Sequence, residues 1–437
     1  QARQRSHVGK QTLPPLVGIG GSRASRIRGL GHRRRLCRPP DNRTMSLPCS
    51  QIPGIGRTWD IFCRVVDNHG DAGVCWRLAT DLASRQIDVR LWIDDARALA
   101  WMAPTGRQGV RVLAWPDGDQ DISHALDPAP SVVVETFGCG LPSPYLQVMA
   151  RARGQAQEPV WINLEYLTAE PYAQRSHCLP SPQSSGPARG MNSWFFYPGF
   201  TPGTGGLLRE TDLVARQVAF DRMAWLATHG IAPRADERVV SLFCYANPNV
   251  PDLLQALAAR PTLLLTTPGH ATEQVLQALS AAELPARLRI QALPWLTQID
   301  YDHLLWSCDL NFVRGEDSLV RAIWAGRPFV WQIYPQDDSA HEAKLDAFIA
   351  QKLATVQPAW GEAIRRLSWQ WNSLVGSTGS QAGDGIDEWN LLNTPQGMSA
   401  WTSRCAAWRD ELIELPDLTS QLLRFVAGPQ SREDAKI

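Results

Sequence analysis

Short apolar runs alternate with amphipathic segments along the chain from Trp59 onward. A strand-like run at 59–66 precedes a helical pattern from Val74, in which apolar residues recur at i, i+3, i+4 and i+7 starting at Cys75. Further strand patterns follow at 88–93, 109–115, 131–138 and 159–167. This alternation predicts a doubly wound α/β unit with a mostly parallel sheet.

A second alternating series begins at Val239, after a stretch rich in proline and glycine at 178–206. The stretch is typical of an interdomain connection. We therefore predict an α/β fold with two tandem Rossmann-like doubly wound domains facing a cleft. The predicted parts are a basic arm at 1–58, an N-terminal domain at 59–190, a C-terminal domain at 191–395, and C-terminal helices at 396–437 that cross back to the N-terminal domain.

Two carboxylates and two glycines lie where the first predicted strand ends. Asp67, Gly70, Asp71 and Gly73 stand between that strand and the helix. In open α/β sheets, ligands bind at the carboxyl ends of the strands. A carboxylate held there can bind or deprotonate a substrate group. The same residue types also form ordinary turns and helix caps, so these residues alone leave catalysis and capping both open.

A similar strand–loop–helix junction follows in the second half, before a helix predicted to begin at Leu319. Ser318 or Asp317 can cap that helix, whose amino end can bind phosphate through free backbone N–H groups. Arg314 adds positive charge for a diphosphate, and Glu316 can accept hydrogen bonds from sugar hydroxyls. Capping without any ligand explains the same residues, and that alternative stays open.

Aromatic residues accompany this junction. Trp295 can stack on a nucleobase whose edge Gln298 recognises, although a core position is the alternative for the tryptophan. Tyr197 belongs to an aromatic, proline-containing segment at 195–200, which either lines the cleft or packs the domain connection. We predict a ligand site that draws on both halves of the chain.

Charge is distributed unevenly along the 437 residues. The chain has no net charge, but residues 1–44 contain eleven Lys or Arg and one acid, which leaves 45–437 near −10. The arm has too few large apolar residues to form a core. A nucleic-acid-binding tail and a transit peptide are two functional interpretations. We expect instead non-native upstream sequence, with Met45 as the start.

Neither membrane nor disulfide signals are present in the sequence. It has no run of eighteen apolar residues and no signal-peptide pattern, and its nine cysteines show no C-x-x-C pair or metal-site spacing. We therefore expect a reduced, cytoplasmic protein without membrane association.

Segments 59–78, 162–170, 195–200, 300–318 and 325–336 together resemble the protein-arginine rhamnosyltransferases that modify bacterial elongation factor P. The specific signal is D-N-x-G-D-x-G-V-C-W-R-L at 67–78 combined with R-G-E-D-S at 314–318. The resemblance spans residues 59–430. It implies the GT-B arrangement of two Rossmann-like domains.

The resemblance also implies the reaction. The donor would be dTDP-L-rhamnose, and the acceptor would be an arginine on a loop tip of folded elongation factor P. The anomeric centre would invert without a metal or other cofactor, and the modified factor would rescue ribosomes stalled at polyproline. We expect no nucleic-acid partner. The alternative is a GT-B glycosyltransferase with another nucleotide sugar and a small-molecule acceptor.

Site residues follow from the same motifs. Asp71 matches the family's general base, and Asp67 matches the second essential acid of the loop. The expected donor site comprises Tyr197, Trp295, Gln298, Arg314, Glu316, Asp317 and Ser318. The family usually has phenylalanine where this chain has Trp295. A guanidinium with a pKa of about 12.5–13.8 is a poor nucleophile, and a carboxylate such as Asp71 can pair with it and accept its proton.

Overall fold

The computed structural model of the protein describes residues 58–428, except for 68, 117, 119–120, 155–157, 282–284, 336–339, 354–356 and 375–385. The interpretations of the basic arm and of Met45 as a start concern residues outside this range. No helix in the described ranges is long and apolar enough to span a membrane.

The first sheet has the order β3-β2-β1-β4-β5-β7-β6, parallel except for β6 against β7. Its strands are β1 (Thr58–Cys63), β2 (Asp88–Ile93), β3 (Val110–Ala114), β4 (Val132–Thr136), β5 (Val160–Leu164), β6 (Pro180–Pro182) and β7 (Asn192–Phe196). The helices along this part are α1 (Gly70–Ser84), α2 (Leu99–Met102), α3 (Ser143–Ala152) and α4 (Pro171–Ser176), with a 3₁₀ turn at Ser123–Leu126.

The second sheet is parallel, with the order β10-β9-β8-β11-β12. Its strands are β8 (Arg238–Leu242), β9 (Thr262–Thr266), β10 (Leu288–Ala292), β11 (Leu310–Arg314) and β12 (Phe329–Gln332). The remaining helices are α5 (Leu213–Val218), α6 (Arg222–Thr228), α7 (Val250–Leu257), α8 (His270–Ala281), α9 (Gln298–Ser307), α10 (Gly315–Ala325), α11 (Ala340–Leu353), α12 (Pro358–Trp371), α13 (Ile386–Leu392), α14 (Pro395–Ile413) and α15 (Leu418–Ala427). The predicted α/β fold with two doubly wound sheets is confirmed.

Strand β1 shows why its sequence forms a central strand. All six of its residues are buried, as expected for a parallel strand covered on both faces. Ile61 packs in the core that contains α1, whereas Phe62 packs in a separate core on the opposite face. Asp60 is tolerated because Arg90 pairs with it and Tyr145 donates a hydrogen bond to it. This buried strand thereby fixes the position of the chain shortly before Asp67.

One predicted boundary differs from the structure. The predicted boundary at residue 190 places residues 192–196 in the second domain, but they form β7, which pairs with β5 of the first sheet, so that sheet continues beyond residue 190. The proline-rich segment before it, interpreted as a linker, contains β6 at the sheet edge. An edge strand tolerates proline because one side of its backbone has no ladder partner.

The last two helices pack on different cores. Helix α14 places Trp401, Cys405, Trp408 and Leu412 in the core around the second sheet. Helix α15 instead places Leu418, Leu422, Leu423, Phe425 and Val426 in the core around α1 and β1. The return of the chain to the first sheet is therefore made by α15.

Leu422→Ala is expected to destabilise the protein by about 2–5 kcal/mol, because the side chain is fully buried beside α1 and its loss leaves a cavity. Leu391→Ala on α13 is the control, since Leu391 is 39% exposed and a surface truncation changes stability by about 0.5 kcal/mol or less. Urea unfolding measures both variants. Equal losses in the two would contradict the packing of α15.

Candidate active site

Asp71 lies in the first turn of α1, which begins at Gly70 and not at Val74 as predicted. Its side chain is buried, and its Oδ2 accepts hydrogen bonds from the backbone N–H groups of Val66 (2.8 Å) and Asp67 (2.9 Å). A carboxylate in a first turn is favourable beside the positive helix end. The acid thus holds the strand–helix connection in place.

The surroundings of Asp71 suit a base. Burial raises the pKa of this carboxyl above its ordinary value, the two backbone N–H groups oppose that shift, and the charges of Asp67 and Glu316 add to it. A carboxylate with a raised pKa is a stronger proton acceptor than an ordinary one. The side chain therefore combines a fixed position with increased basicity.

Asp67 connects the two halves of the protein. Its Oδ2 accepts a hydrogen bond from the Tyr245 hydroxyl (2.6 Å), and its Oδ1 pairs with Nη1 of Arg314 (3.2 Å). A Cβ atom on Gly70 would lie 2.6 Å from Oδ2, and one on Gly315 would lie 2.8 Å from it. Glycine at both positions lets the amino ends of α1 and α10 approach the same carboxylate.

Helix α10 begins at Gly315, four residues before the predicted start at Leu319. Ser318 and Asp317 are consequently not N-caps: the cap residue is Arg314, without a side-chain capping bond. Ser318 Oγ instead donates to the Arg314 carbonyl at 2.5 Å, inside the first turn. The backbone N–H groups of this turn make the amino end of α10 an anion-binding position.

Arg314 is held by aromatic rings as well as by Asp67. Its guanidinium lies 4.3 Å from the ring centroids of both Phe243 and Tyr245. Its Nε is buried without a hydrogen-bond partner among the described residues. A buried donor of this kind is available to a ligand.

The two acids of the first α10 turn are paired with cations. Glu316 Oε1 accepts from Lys344 Nζ (2.6 Å) and its Oε2 from the backbone of Leu167 (2.8 Å). Asp317 Oδ1 accepts from Arg77 Nε (2.9 Å). Burial raises the pKa of Asp317, an effect that Arg77 opposes. The negative charge beside the anion-binding turn is thereby offset.

Trp295 and Gln298 line the same cavity as Arg314. Trp295 is half exposed, and its ring lies 4.6 Å from that of Trp101 on α2. His69 meets both indoles edge-on, at 5.2 and 5.5 Å. Gln298 is buried, and its Nε2 donates to the Gly73 carbonyl at 3.0 Å. An aromatic surface and an amide thus border the cleft at the start of α9.

Two cavities meet at Asp67 and Gly70. The first, of about 70 Å³, is lined among others by Trp101, Trp295, Gln298, Tyr301, Arg314, Asp317 and Ser318. The second, of about 150 Å³, is lined among others by Asp71, Phe137, Tyr166, Glu316, Tyr334 and Lys344. Every predicted site residue except Tyr197 therefore lines one or both cavities.

Tyr197 lies apart from these cavities. Its ring contacts Tyr172 edge-on at 5.6 Å and stacks near Phe195 at 6.1 Å, and its backbone N–H donates to His177 Nδ1. Burial raises the pKa of its hydroxyl to about 12. A donor-binding role for Tyr197 stays a prediction.

Several residues of the site escaped the sequence analysis, notably Arg77, Trp101, Tyr245 and Lys344. Arg77 had a detectable signal, because a charged residue inside the apolar pattern of α1 is unusual for a buried helix face. Tyr245 lies three residues after β8 ends at Leu242, near the carboxyl end of a parallel strand, where ligand sites form. The other two come from helices that carried no motif. Across the described ranges, no group of three or more His, Cys, Asp or Glu is arranged to hold a metal ion.

The chain is similar to known proteins over a range that includes both motifs. The sequence model of the family described as "Elongation-Factor P (EF-P) rhamnosyltransferase EarP" matches residues 59–427. The protein-arginine rhamnosyltransferase of Pseudomonas aeruginosa is 39% identical over 393 residues, covering 85% of this chain and 99% of the relative. That of Pseudomonas putida is 40% identical over 388 residues, covering 84% and 98%.

A solved structure gives the same result. The protein in a structure described as the basis for EarP-mediated arginine glycosylation of translation elongation factor EF-P is 30% identical to this chain. The match has a TM-score of 0.56 and covers 84% of this chain and 98% of the other.

Proposed function

The chain belongs to the EarP family of elongation factor P rhamnosyltransferases, and from this we propose that it transfers L-rhamnose from dTDP-β-L-rhamnose to an arginine side chain of elongation factor P. The fold is of the GT-B type. We propose inversion at the anomeric carbon, no metal or other cofactor, a cytoplasmic location, and rescue of polyproline-stalled ribosomes as the consequence. Another nucleotide sugar with a small acceptor is not favoured, because relatives 34–40% identical are named for arginine rhamnosylation.

The meeting of two cavities at Asp67 is the observation that carries this proposal. Group transfer needs two substrates whose reacting atoms come within about 3–3.5 Å of each other. One cavity contains the R-G-E-D-S residues Arg314, Asp317 and Ser318, and the other contains Asp71. A donor in the first cavity and an acceptor in the second would therefore react beside Asp67.

The first cavity suits a nucleoside diphosphate. Trp295 offers a ring face for the base, and Arg314 with the amino end of α10 offers donors for the diphosphate. Its volume of about 70 Å³ is below the roughly 300–1,000 Å³ usual for small-molecule sites. Donor entry therefore requires the surrounding side chains to move. The Trp101–Trp295 contact is the exposed part of the cavity lining.

The second cavity suits a guanidinium. Carboxylates pair with guanidinium through two parallel hydrogen bonds, and aromatic faces stack on its plane. Asp71 supplies the carboxylate, and Phe137 and Tyr166, which stack on each other at 4.5 Å, supply an aromatic wall. Among the described residues, both hydrogen bonds of Asp71 use Oδ2, which leaves Oδ1 for the acceptor.

The chemistry follows from this placement. Asp71 pairs with the acceptor guanidinium, orients one nitrogen towards the anomeric carbon and takes its proton as the C–N bond forms. The bond between that carbon and the diphosphate oxygen breaks on the opposite face. Arg314 and the amino end of α10 stabilise the negative charge on the departing dTDP.

Intact mass spectrometry tests the proposal. Elongation factor P incubated with this protein and dTDP-L-rhamnose is expected to gain one deoxyhexose, located on an arginine by fragmentation. UDP-glucose in place of the donor should give no gain. An unmodified acceptor in the presence of the folded enzyme would overturn the proposed function.

Gly315→Ala is expected to lower kcat/KM for transfer about tenfold or more. Gly315 has φ +64°, and an added Cβ would lie 2.8 Å from the Asp67 carboxylate, so the residues around both cavities must shift. Gly230→Ala is the matched control, since Gly230 has the same φ of +64° but nothing within 4 Å of an added Cβ. Both variants should lose about 1–2 kcal/mol of stability from backbone strain. Equal activity in the two would show that the contact with Asp67 is unimportant.

A further inference from the structure

Arg77 binds acids from three separate segments of the chain. It lies on α1, six residues after Asp71, and its side chain is only 4% exposed. Its Nε donates to Asp317 Oδ1 at 2.9 Å, in the first turn of α10. Its Nη2 donates to Asp302 Oδ1 at 3.1 Å on α9, and its Nη1 to Glu210 Oε1 at 3.3 Å, in the connection before α5.

Arg321 completes what we call the Arg77 cluster: Arg77, Glu210, Asp302, Asp317 and Arg321. Two nitrogens of Arg321 donate to Asp302, at 2.7 and 2.6 Å, and a third donates to Glu210 at 2.8 Å. Burial opposes ionisation of Glu210, yet Arg321 and Arg77 lower its pKa to about 2. The cluster is therefore a buried, alternating arrangement of charges between α1, α9 and α10.

Backbone contacts reinforce this junction. The Gln298 carbonyl accepts from Arg77 Nη2 at 3.2 Å, and the Gln298 side chain donates to the Gly73 carbonyl at 3.0 Å. A Cβ on Gly73 would lie 3.2 Å from Asp317 Oδ2 and 3.3 Å from Gln298 Nε2. One turn of α1 thus packs against the first turns of α9 and α10, the two helices that carry predicted donor-site residues. Gln298 and Asp317, both expected to bind the donor, are bound to this turn.

We propose that Arg77 is a positioning residue, which sets the distance and orientation between Asp71 on α1 and the donor-binding turn of α10, and that Asp317 acts in this contact and not as a donor ligand. The inference rests on the proposed function, because it concerns the alignment of base and donor in that reaction.

Chemistry favours alignment over simple stabilisation. A buried ion cluster stabilises a fold no better than well-packed apolar residues do. A planar guanidinium with donors in fixed directions defines one geometry, which a flexible ammonium does not. Apolar side chains at a domain junction can slide past one another, whereas these directed bonds cannot. A misplacement of about 1 Å in a transfer site lowers the rate about a hundredfold.

Arg77→Lys is the direct test, since it keeps the charge and removes the directed donors. Arg85→Lys is the matched control: Arg85 is the C-cap residue of the same helix and pairs with Asp81 and Asp417, both at 2.8 Å, joining α1 to the residue before α15. Asp317→Asn removes the charge of one partner while keeping its shape. The measurements are kcat and KM for both substrates, the Kd of dTDP by calorimetry, and thermal unfolding.

Arg77→Lys is expected to lower kcat at saturating substrates about a hundredfold, with the Kd of dTDP changed less than about threefold. Asp317→Asn should likewise lower kcat and leave dTDP binding nearly intact. Arg85→Lys should keep kcat within about twofold of the wild type, even where its unfolding temperature falls as much as that of Arg77→Lys.

Three results would overturn the inference. Equal kcat for Arg77→Lys and Arg85→Lys would reduce the cluster to a structural role. A dTDP Kd raised tenfold or more in Asp317→Asn, with kcat unchanged, would make Asp317 a donor ligand. If Arg77→Lys does not fold, a kcat of Asp317→Asn equal to that of the wild type would by itself contradict the proposal. If the wild-type protein transfers no rhamnose, that result counts against the proposed function. The wild type is measured first, so this outcome is known before any variant is compared.

Discussion

Asp71→Asn is expected to lower kcat for rhamnose transfer about a thousandfold or more, while the Kd of dTDP changes less than about threefold. An amide cannot take the proton that the acceptor guanidinium releases, and it pairs with that cation far more weakly. Asparagine has the same shape, and its carbonyl oxygen can still accept from the backbone N–H groups of Val66 and Asp67. The fold and the first cavity should therefore remain intact.

Asp94→Asn is the matched control, because Asp94 follows the neighbouring strand β2 and accepts from the Val65 backbone at 2.9 Å, but is exposed and lines neither cavity. It should keep kcat within about twofold of the wild type. Comparable losses in the two variants would mean that any acid at this edge of the sheet matters only for folding.

The pH dependence of kcat/KM for elongation factor P, which reports the free enzyme, gives a second readout for Asp71. Burial raises the pKa of this carboxyl, and only its ionised form accepts a proton. Activity should accordingly fall as the pH drops through the raised pKa of Asp71, and level off above it. This acidic limb should disappear in the residual activity of Asp71→Asn. Its persistence there would assign the titration to another group.

Asp67→Asn is expected to lower kcat/KM for the donor about a hundredfold. The substitution removes the ion-pair partner of Arg314, whose side chain is only 7% exposed, and weakens the bond from Tyr245. A buried arginine without its acid is costly and shifts position. Because Asp67 borders both cavities, displacement of Arg314 also disturbs the meeting point of the two substrates.

Tyr245→Phe separates the two contacts of Asp67. It deletes one hydrogen bond and leaves the Arg314 ion pair, so a loss of about tenfold is expected, in line with about 1.5 kcal/mol, the lower end of the range for a hydrogen bond to a charged group. Steady-state kinetics with the donor varied measures both variants. A loss for Tyr245→Phe as large as that for Asp67→Asn would place the effect in the hydrogen bond and not in the charge.

Local sequence predicted the elements better than it predicted their ends. The strand before Asp67 and the strand that ends at Arg314 lie where the apolar runs indicated. Both following helices begin four residues earlier than predicted, at Gly70 and Gly315, because glycine and acids are typical of loops. In the structure these residues form first turns, where acids meet the positive helix end and glycine admits the Asp67 carboxylate.

The family motifs and the strand–helix alternation are properties of the sequence by itself. They determined two doubly wound sheets, the position of Asp71 and Asp67 at a strand end, and an anion-binding turn after Arg314. These features follow from local periodicity and from residue types at short spacing, which act before the chain has packed.

The tertiary structure alone decided which charged groups meet. Asp67 pairs with Arg314 across 247 positions and with Tyr245 across 178, and Arg77 reaches Asp317 across 240. No local pattern specifies such partners, because any acid can pair with any arginine until packing of the two sheets removes the alternatives. Burial then makes each remaining pair obligatory, since an unpaired charge in that junction is unfavourable by several kcal/mol.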